Sequence, residues 1–283
     1  MIDLLDRIIE RVRRFFVKRW RRLTKLLVSN SESEKTMTRR GLLFEVDPGD
    51  DLQRIVLFEG LHNDEERRIC ASLLKEESVV IDVGAHVGFY TIFLSALVPS
   101  GRVHSFEPNP GAFSQLERHA EINGCDNVMA NNLALGEQEG NGNLSVPDGK
   151  SGMASLSGHM HDRFSEEEVE RVNAVSVITL DQYVKGKNVE RIDLMKIDVE
   201  GWEPFVIQGA RSALERFRPW ILMEVNSLAL QGQGWNPQEL LDLLEEHDYE
   251  FYKSSHVLSG FRHIHADGDY GTIYDVICRP GNS

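Results

Sequence analysis

The sequence has few cysteines and no long hydrophobic run. Its three cysteines are widely separated and form no CxxC pair. This excludes a disulfide framework and a paired-cysteine zinc site, and it favours a reducing, cytoplasmic compartment. No stretch of about 18 apolar residues occurs, so no transmembrane helix is expected. Charges interrupt the first apolar residues every two or three positions, which excludes the hydrophobic region of a signal peptide.

Basic residues are scarce in most of the chain. Residues 1–40 carry 12 Lys/Arg and 5 Asp/Glu, whereas the remaining residues carry 19 and 40. So acidic a body argues against a nucleic-acid partner, because phosphate contacts need clustered basic side chains. The length of 283 residues and the 41% hydrophobic content fit one large α/β domain with extensions, or two small domains.

The segment 2–28 has the pattern of a basic amphipathic helix, because apolar residues recur at three- and four-residue steps beside a basic stripe. Phe15, Phe16 and Trp20 favour peripheral contact with anionic lipid at the inner membrane face. Packing on the acidic body or on a second subunit is the alternative. The polar, serine-rich segment 29–38 completes this region as a predicted linker.

The segment 39–78 is predicted to be a cap and lead-in to the main domain. It contains two short β-type runs, at 42–46 and 55–58, and then a helical pattern at 64–76. His62 precedes that helix and is a candidate substrate residue at the rim of a site. A solvated loop is the alternative interpretation of its position.

From residue 79 to 283 we expect one domain in which strands alternate with helices. Strands are predicted at 79–83, 102–107, 127–133, 192–198 and 220–225, helices at 89–97, 111–123, 204–217 and 237–247, and closing β runs at 249–252 and 272–278. This alternation predicts a largely parallel sheet covered on both faces, with ligands at the carboxyl ends of the strands. The Gly/Ser-rich segment 136–173, with a charged helical turn at 165–172, is predicted to be a substrate-side insertion.

The stretch VVIDVGAHVGFYT predicts a strand, a glycine-bearing turn and a helix that open onto a ligand. Its spacing from Asp82 is DxGxxxG, through Gly84 and Gly88, whereas a nicotinamide dinucleotide site would need GxGxxG. Glu107 ends the next strand, where a carboxylate can accept both hydroxyls of a ribose. An adenosine-type ligand without a pyrophosphate is therefore favoured.

The strand in MKIDVEG places Lys196, Asp198 and, if the chain stays extended, Glu200 on one side. The two carboxylates would stand at the carboxyl end of the strand, where the ligand is expected. They could act as a general base, hold a divalent cation or contact the substrate. The alternative is that Lys196 and Asp198 form a buried ion pair that only orients the strand.

Six blocks, DVGAHVGFYT, FEPNP, ALG, TLDQY, MKIDVEGWE and ILMEVN, together resemble the FkbM family of S-adenosylmethionine-dependent methyltransferases over residues 57–226. The resemblance implies a class I, Rossmann-like fold with a seven-stranded mixed sheet in the order 3-2-1-4-5-7-6 and helices on both faces. It implies that the methionine part of the cofactor lies near Asp82, Gly84, His86 and Gly88, the ribose near Glu107, and the adenine near Asn132 to Ala134.

The resemblance also implies transfer of a methyl group to a hydroxyl of a sugar, glycan or polyketide-like acceptor. Glu200 is then the first candidate for the base or the hydroxyl acceptor, while Asp198 serves the cofactor or the geometry of the site. Glu224 and Asn226 could complete a substrate or metal shell, although no metal site is predicted. The alternative function is a non-catalytic cofactor-binding module recruited through the basic N-terminal helix.

Overall fold

The structure is a computed structural model that describes residues 35–39, 42–47, 49–50, 53, 64–156, 169–253 and 273–281. The chain divides into two compact units, Met1–His62 and Asn63–Ser283. The basic helix predicted at 2–28, the β run predicted at 55–58 and the candidate residue His62 lie outside the described residues. Within the described ranges, no helix is long and apolar enough to span a bilayer.

The first unit contains a pair of antiparallel strands, β1 (Lys35–Arg39) and β2 (Leu42–Val46). The strand predicted at 42–46 is confirmed. β1 begins inside the predicted linker 29–38, so that prediction is wrong for residues 35–38. The sequence KTMTR carries two β-branched threonines, and pairing with the apolar β2 stabilises the extended chain despite its polar composition.

The second unit alternates helices and strands along the chain. Its helices are α1 (Asp64–Leu73), α2 (Phe89–Leu97), α3 (Pro110–Ile122), α4 (Leu180–Lys187), α5 (Glu203–Gln208), α6 (Arg211–Phe217), α7 (Ser227–Gly232) and α8 (Pro237–Glu245). Its strands are β3 (Val79–Val83), β4 (Arg102–Phe106), β5 (Val128–Asn131), β6 (Ala134–Leu135), β7 (Gly140–Pro147), β8 (Val169–Ile178), β9 (Leu194–Ile197), β10 (Trp220–Asn226), β11 (Tyr249–Lys253) and β12 (Ile273–Pro280).

Seven strands form the main sheet, in the order β11-β12-β10-β9-β3-β4-β5. Within this sheet, the neighbouring strands β5, β4, β3, β9 and β10 pair in parallel, whereas β12 is antiparallel to both β10 and β11. Renumbered along the chain, this is the order 3-2-1-4-5-7-6, so the predicted class I fold is confirmed. The carboxyl ends of the parallel strands therefore meet at one edge of the sheet.

The side chains of each central strand alternate between two helical layers. Val80 and Leu194 pack on the face covered by α1 and α2, while Ile81 and Met195 pack on the face covered by α4, α5, α6 and α8. Strands buried on both faces are mostly apolar, which explains the hydrophobic runs in the sequence. Buried polar residues interrupt these runs at Asp82, His104, Ser105 and Lys196.

One helix predicted at 204–217 is in fact two helices, α5 and α6. The chain turns between them because Gly209 passes close to Gly136, where an added Cβ would lie 1.9 Å from the Gly136 carbonyl oxygen. The carboxylate of Asp181 then accepts hydrogen bonds of 3.0 and 2.8 Å from early amides of α6, which caps the new helix. A distant carboxylate of this kind is invisible to local sequence patterns.

The segment 136–173 builds most of a second sheet, in the order β6-β8-β7. β8 begins at Val169, so the helical turn predicted at 165–172 is wrong for residues 169–172, where pairing with β7 prevails. Between β7 and the end of the described range at 156, a short 3-10 helix spans Ser151–Met153. Residues 157–168 lie outside the described ranges.

Candidate active site

The turn between β3 and α2 takes its shape from left-handed residues, with φ of 77° at Gly84, 50° at His86 and 87° at Gly88. A Cβ on Gly84 would lie 1.8 Å from the carbonyl oxygen of Asp198. Gly88 is the N-cap of α2, and a Cβ there would lie 3.1 Å from Leu116. Glycine at 84 therefore lets the ends of β3 and β9 approach each other closely, whereas glycine at 88 allows the left-handed conformation at the start of α2.

Glu107 lies buried at the end of β4, and both of its carboxylate oxygens accept backbone hydrogen bonds. The amide of His86 donates to Oε2 at 2.7 Å, and the amide of Asn109 donates to Oε1 at 2.8 Å. Burial raises the pKa of Glu107 to about 7, and the two amides oppose that shift. Asn132 donates to the backbone carbonyls of Glu107 and Pro108, at 2.8 and 3.2 Å, and so fixes this loop from outside.

Asp82 is fully buried behind the turn that follows β3. Its Oδ2 accepts a hydrogen bond of 2.6 Å from the Thr91 hydroxyl, while its Oδ1 has no partner among the described residues. Burial raises the pKa of Asp82, although the nearby Lys196 ammonium opposes the shift. Asp82 thus supports the turn from below the pocket.

Lys196 and Asp198 form an ion pair at the end of β9, with Nζ 3.0 Å from Oδ2. The Lys196 side chain is 7% exposed and that of Asp198 is 40% exposed. The ammonium also lies 4.8 Å from the Tyr90 ring centroid, and the Tyr90 hydroxyl donates to Glu66. Burial alone would lower the pKa of Lys196, but Asp198 and Asp82 raise it. The lysine is thus a charged anchor that orients the more exposed Asp198.

The chain does not stay extended after Ile197, so the simple alternation expected for MKIDVEG ends there. Glu200 and Gly201 are both left-handed, with φ of 51° and 94°. Buried Glu203 holds this turn, because its Oε1 accepts from the amides of Val199 and Gly201 at 3.3 and 3.1 Å. Burial raises the pKa of Glu203 to about 7, with the amide bonds opposing the shift.

Asn226 and Ser155 both contact Glu200 itself. The Asn226 amide group donates to Glu200 Oε2 at 3.2 Å, and the hydroxyl of Ser155 donates to the Glu200 carbonyl at 2.9 Å. Four residues before Ser155, the hydroxyl of Ser151 lies 2.5 Å from Nε2 of His86. Sequence patterns missed both serines, because they stand in a Gly/Ser-rich segment that carries no recognisable motif.

Most of these elements converge on one pocket of about 550 Å³, its open mouth included. The predicted site residues in its wall are Gly84, His86, Glu107, Ala134, Asp198 and Glu200. The predicted site residues outside the wall are Asp82, Gly88, Asn132, Glu224 and Asn226. Trp202, Leu144 and the residues at 151–152 and 154–156 line it as well.

Glu224 and Asn226 lie on the neighbouring strand β10. Glu224 faces Asp275 in the strand register, and burial followed by the charges of Asp198 and Glu200 raises its pKa to about 8. Asn226 accepts from the amide of Ala229 and caps α7, besides donating to Glu200. Both residues therefore back the acidic side of the pocket without forming its wall.

The walls of the pocket fit a nucleoside joined to a polar chain. Glu107 offers a buried carboxylate to ribose hydroxyls, and apolar residues at 133–135 offer a surface for a base. The turn with Gly84 and His86 lies beside Asp198, because the Gly84 backbone packs against the Asp198 carbonyl. In the part of the chain that the structure describes, no group of three or more His, Cys, Asp or Glu residues could hold a metal ion.

Residues 82–251 match the family described as the methyltransferase FkbM domain. The chain is 27% identical over 147 residues to Methyltransferase 1 of Beauveria bassiana (strain ARSEF 2860), covering 47% of this chain and 59% of that protein. It is 28% identical over 186 residues to the 2-O-methyltransferase NoeI of Sinorhizobium fredii (strain NBRC 101917 / NGR234), covering 63% and 75%.

A further relative is the hexuronic acid methyltransferase AglP of Haloferax volcanii, 25% identical over 179 residues, with 63% of this chain and 66% of that protein covered. The chain thus spans less than two thirds of the length of AglP and of Methyltransferase 1. The family match itself covers more than half of the chain and contains the turn after β3, Glu107 and the β9 turn. The chain therefore belongs to the FkbM family of S-adenosylmethionine-dependent methyltransferases.

Proposed function

We propose that this chain transfers a methyl group from S-adenosylmethionine to a hydroxyl oxygen of a sugar or glycan, or of a polyketide-like acceptor. The observation that carries the proposal is a single pocket whose wall contains both Glu107 and Glu200. One carboxylate suits the ribose of the donor, and the other suits the hydroxyl that is to be methylated. The names of two relatives, a hexuronic acid methyltransferase and a 2-O-methyltransferase, support a sugar hydroxyl as the target.

On the donor side, the Glu107 carboxylate would accept hydrogen bonds from the ribose hydroxyls, while its two amide partners keep it in place. Leu133 and Ala134, which line the pocket, would contact the base, and Gly84 and His86 would border the methionine part. Asp82, Gly88 and Asn132 act from outside the wall by fixing the turn, the helix start and the Glu107 loop. When bound, S-adenosylmethionine supplies an electrophilic methyl group on a positively charged sulfur.

On the acceptor side, the main requirement is orientation of the hydroxyl oxygen toward the methyl carbon. Glu200 would take the proton from that hydroxyl, which leaves the oxygen able to accept the methyl group that the bound cofactor would supply. Asp198, oriented by Lys196, serves the geometry of the donor. Glu224 and Asn226 support Glu200 from β10, and we propose no metal ion in this step.

The reaction is tested with S-adenosylmethionine tritiated in the methyl group and a panel of acceptors. The panel contains neutral sugar glycosides, hexuronic acid glycosides, glycolipids and polyketide alcohols, and calorimetry measures the affinity for S-adenosylhomocysteine. We expect micromolar product binding and transfer to at least one sugar hydroxyl. A folded protein that fails to bind S-adenosylhomocysteine would contradict the proposal.

The same experiment tests the alternative, a non-catalytic module on a methyltransferase scaffold. Such a module would bind S-adenosylhomocysteine yet transfer no label to any acceptor class. The presence of Glu107, Asp198 and Glu200 in one wall favours the enzyme, because a module that only binds the cofactor would not need a carboxylate opposite it.

We also propose that the basic helix predicted at 2–28 contacts anionic lipid at the inner membrane face. The pattern of apolar, aromatic and basic residues in the sequence supports this. Cosedimentation with vesicles of anionic phospholipid should weaken as salt rises, because the attraction is electrostatic. Equal binding by a chain that lacks residues 1–28 would refute the proposal.

A further inference from the structure

We propose that Ser155 is a positioning residue that holds Glu200 in its working conformation, as one end of a strap formed by residues 151–155. The inference rests on the proposed function, in which Glu200 takes the proton of the acceptor hydroxyl. The strap follows β7 of the three-stranded sheet, and most residues of the strap line the pocket. It contacts the two turns that carry the site, one after β3 and the other after β9.

Glu200 needs such a support because its backbone is left-handed, with φ of 51°. That region is unfavourable for a residue with a Cβ, and it persists where the surroundings hold it in place. Glu203 fixes the amides on either side of Glu200. The Ser155 hydroxyl adds a bond of 2.9 Å to the Glu200 carbonyl, and Asn226 adds one of 3.2 Å to its carboxylate. The conformation is thus shared between two elements outside the turn.

Ser155 is itself well anchored. Its side chain is buried, and its backbone exchanges two hydrogen bonds with Ser145 of β7, at 2.9 and 3.0 Å. β7 pairs in turn with β8 over most of its length. The Ser155 backbone is therefore held by β7, while its hydroxyl reaches the turn after β9. A positioning residue requires such an anchored backbone.

The other end of the strap contacts the donor side. The Ser151 hydroxyl lies 2.5 Å from Nε2 of His86, and the backbone amide of His86 donates to Glu107. The two serines should consequently control different constants. Loss of the Ser155 hydroxyl should lower kcat, whereas loss of the Ser151 hydroxyl should weaken donor binding. A merely structural role of the strap would move both constants together.

The test compares Ser155→Ala, Ser151→Ala and a control, Ser176→Ala, which changes an exposed serine of β8. Hydrogen exchange of the amides at 200–203 is measured with S-adenosylhomocysteine bound and needs no acceptor. We expect Ser155→Ala to speed that exchange about tenfold, since a buried hydrogen bond to the turn is lost. Ser151→Ala and Ser176→Ala should leave exchange at 200–203 as in the wild type.

Turnover and affinity complete the test. With an acceptor that the wild type methylates, Ser155→Ala should lose about 10- to 100-fold in kcat, because misplacement of the reacting groups is costly. Its affinity for S-adenosylhomocysteine should stay within about threefold of the wild type, whereas Ser151→Ala should lose about three- to tenfold. Unchanged exchange at 200–203 in Ser155→Ala, or equal losses of kcat in the two strap variants, would overturn the inference.

Failure of the strap and failure of the proposed function give different results. Wild-type turnover in Glu200→Gln would remove Glu200 from the reaction, while exchange in Ser155→Ala would still report whether the strap holds the turn. An inactive Glu200→Gln beside a fully active Ser155→Ala would leave the function intact and refute the strap alone.

Discussion

The two halves of the pocket, which we propose to bind the methyl donor and the acceptor, are built in different ways. On the proposed donor side, Glu107 follows a parallel strand and is held by backbone amides, and the adjacent turn contains left-handed glycines. On the acceptor side, Glu200 is left-handed in a turn and is held by Asn226 and Ser155, side chains from two other elements. Backbone contacts survive most substitutions, whereas side-chain contacts do not. Donor binding should therefore tolerate substitutions better than acceptor chemistry does.

The largest effect is expected at Glu200 and would separate the two halves most clearly. Glu200→Gln keeps the size of the side chain but removes the base, so kcat should fall by about 10²- to 10⁴-fold. Affinity for S-adenosylhomocysteine, measured by calorimetry, should change by less than about threefold. Loss of both properties together would show that the halves are not separable.

Gly84→Ala breaks the contact that joins the halves. Its Cβ would lie 1.8 Å from the Asp198 carbonyl oxygen in a left-handed conformation, so the free energy of unfolding should fall by about 3 kcal/mol or more. Gly124→Ala is the matched control, because Gly124 has φ of 62° but no atom within 4 Å of an added Cβ. Its cost should be about 1 kcal/mol. Denaturant unfolding measures both variants, and equal losses of unfolding free energy in Gly84→Ala and Gly124→Ala would refute the importance of the contact.

Glu107 should make donor binding depend on pH. Its pKa of about 7 means that the carboxylate ionises as pH rises through neutrality, and the ionised form accepts ribose hydroxyls better. Affinity for S-adenosylhomocysteine should therefore rise by up to about tenfold between about pH 6 and 8. Glu107→Gln should weaken binding and flatten this dependence, since its amide group would face a backbone donor. A flat wild-type profile would contradict the prediction.

The smallest effect is expected at Asn132, which acts on the donor side through the Glu107 loop. Asn132→Ala removes two hydrogen bonds to backbone carbonyls that solvent can replace, so affinity for S-adenosylhomocysteine should fall only about threefold. The loss should appear in calorimetry with kcat at saturating donor unchanged. A loss comparable to that of Glu107→Gln would mean that Asn132 contacts the ligand directly.

The residues of the proposed donor half could be located from the sequence because they follow local rules, and their roles stay a prediction. Glycine spacing identified the turn after β3, and the acidic end of β4 identified Glu107, since parallel strands bring their carboxyl ends together. Buried apolar runs also predicted the main strands, whereas the sheet order was implied by the resemblance to the FkbM family. Asp198 and Glu200 were found for the same reason, although alternation alone could not foresee that the chain becomes left-handed at Glu200.

The features that the sequence did not predict depend on contacts between residues that are far apart along the chain. Helix propensity favours one helix at 204–217, and only the approach of Gly136 to Gly209 and the capping carboxylate of Asp181 divide it. Likewise, Ser151 and Ser155 reach the site through pairing within an insertion whose sequence is mostly small and polar. Their roles depend on tertiary placement, which no local pattern records.

The position of β12 has a consequence for biosynthesis. This strand lies between β10 and β11, both of which the ribosome makes first, and it pairs antiparallel with each. Until β12 has left the exit tunnel, β10 exposes an apolar edge and β11 has no neighbour in the sheet. The nascent chain must therefore hold a nearly complete domain whose main sheet is still open near one edge. Chaperone binding to stalled chains should peak after β11 is synthesised and end once β12 is released.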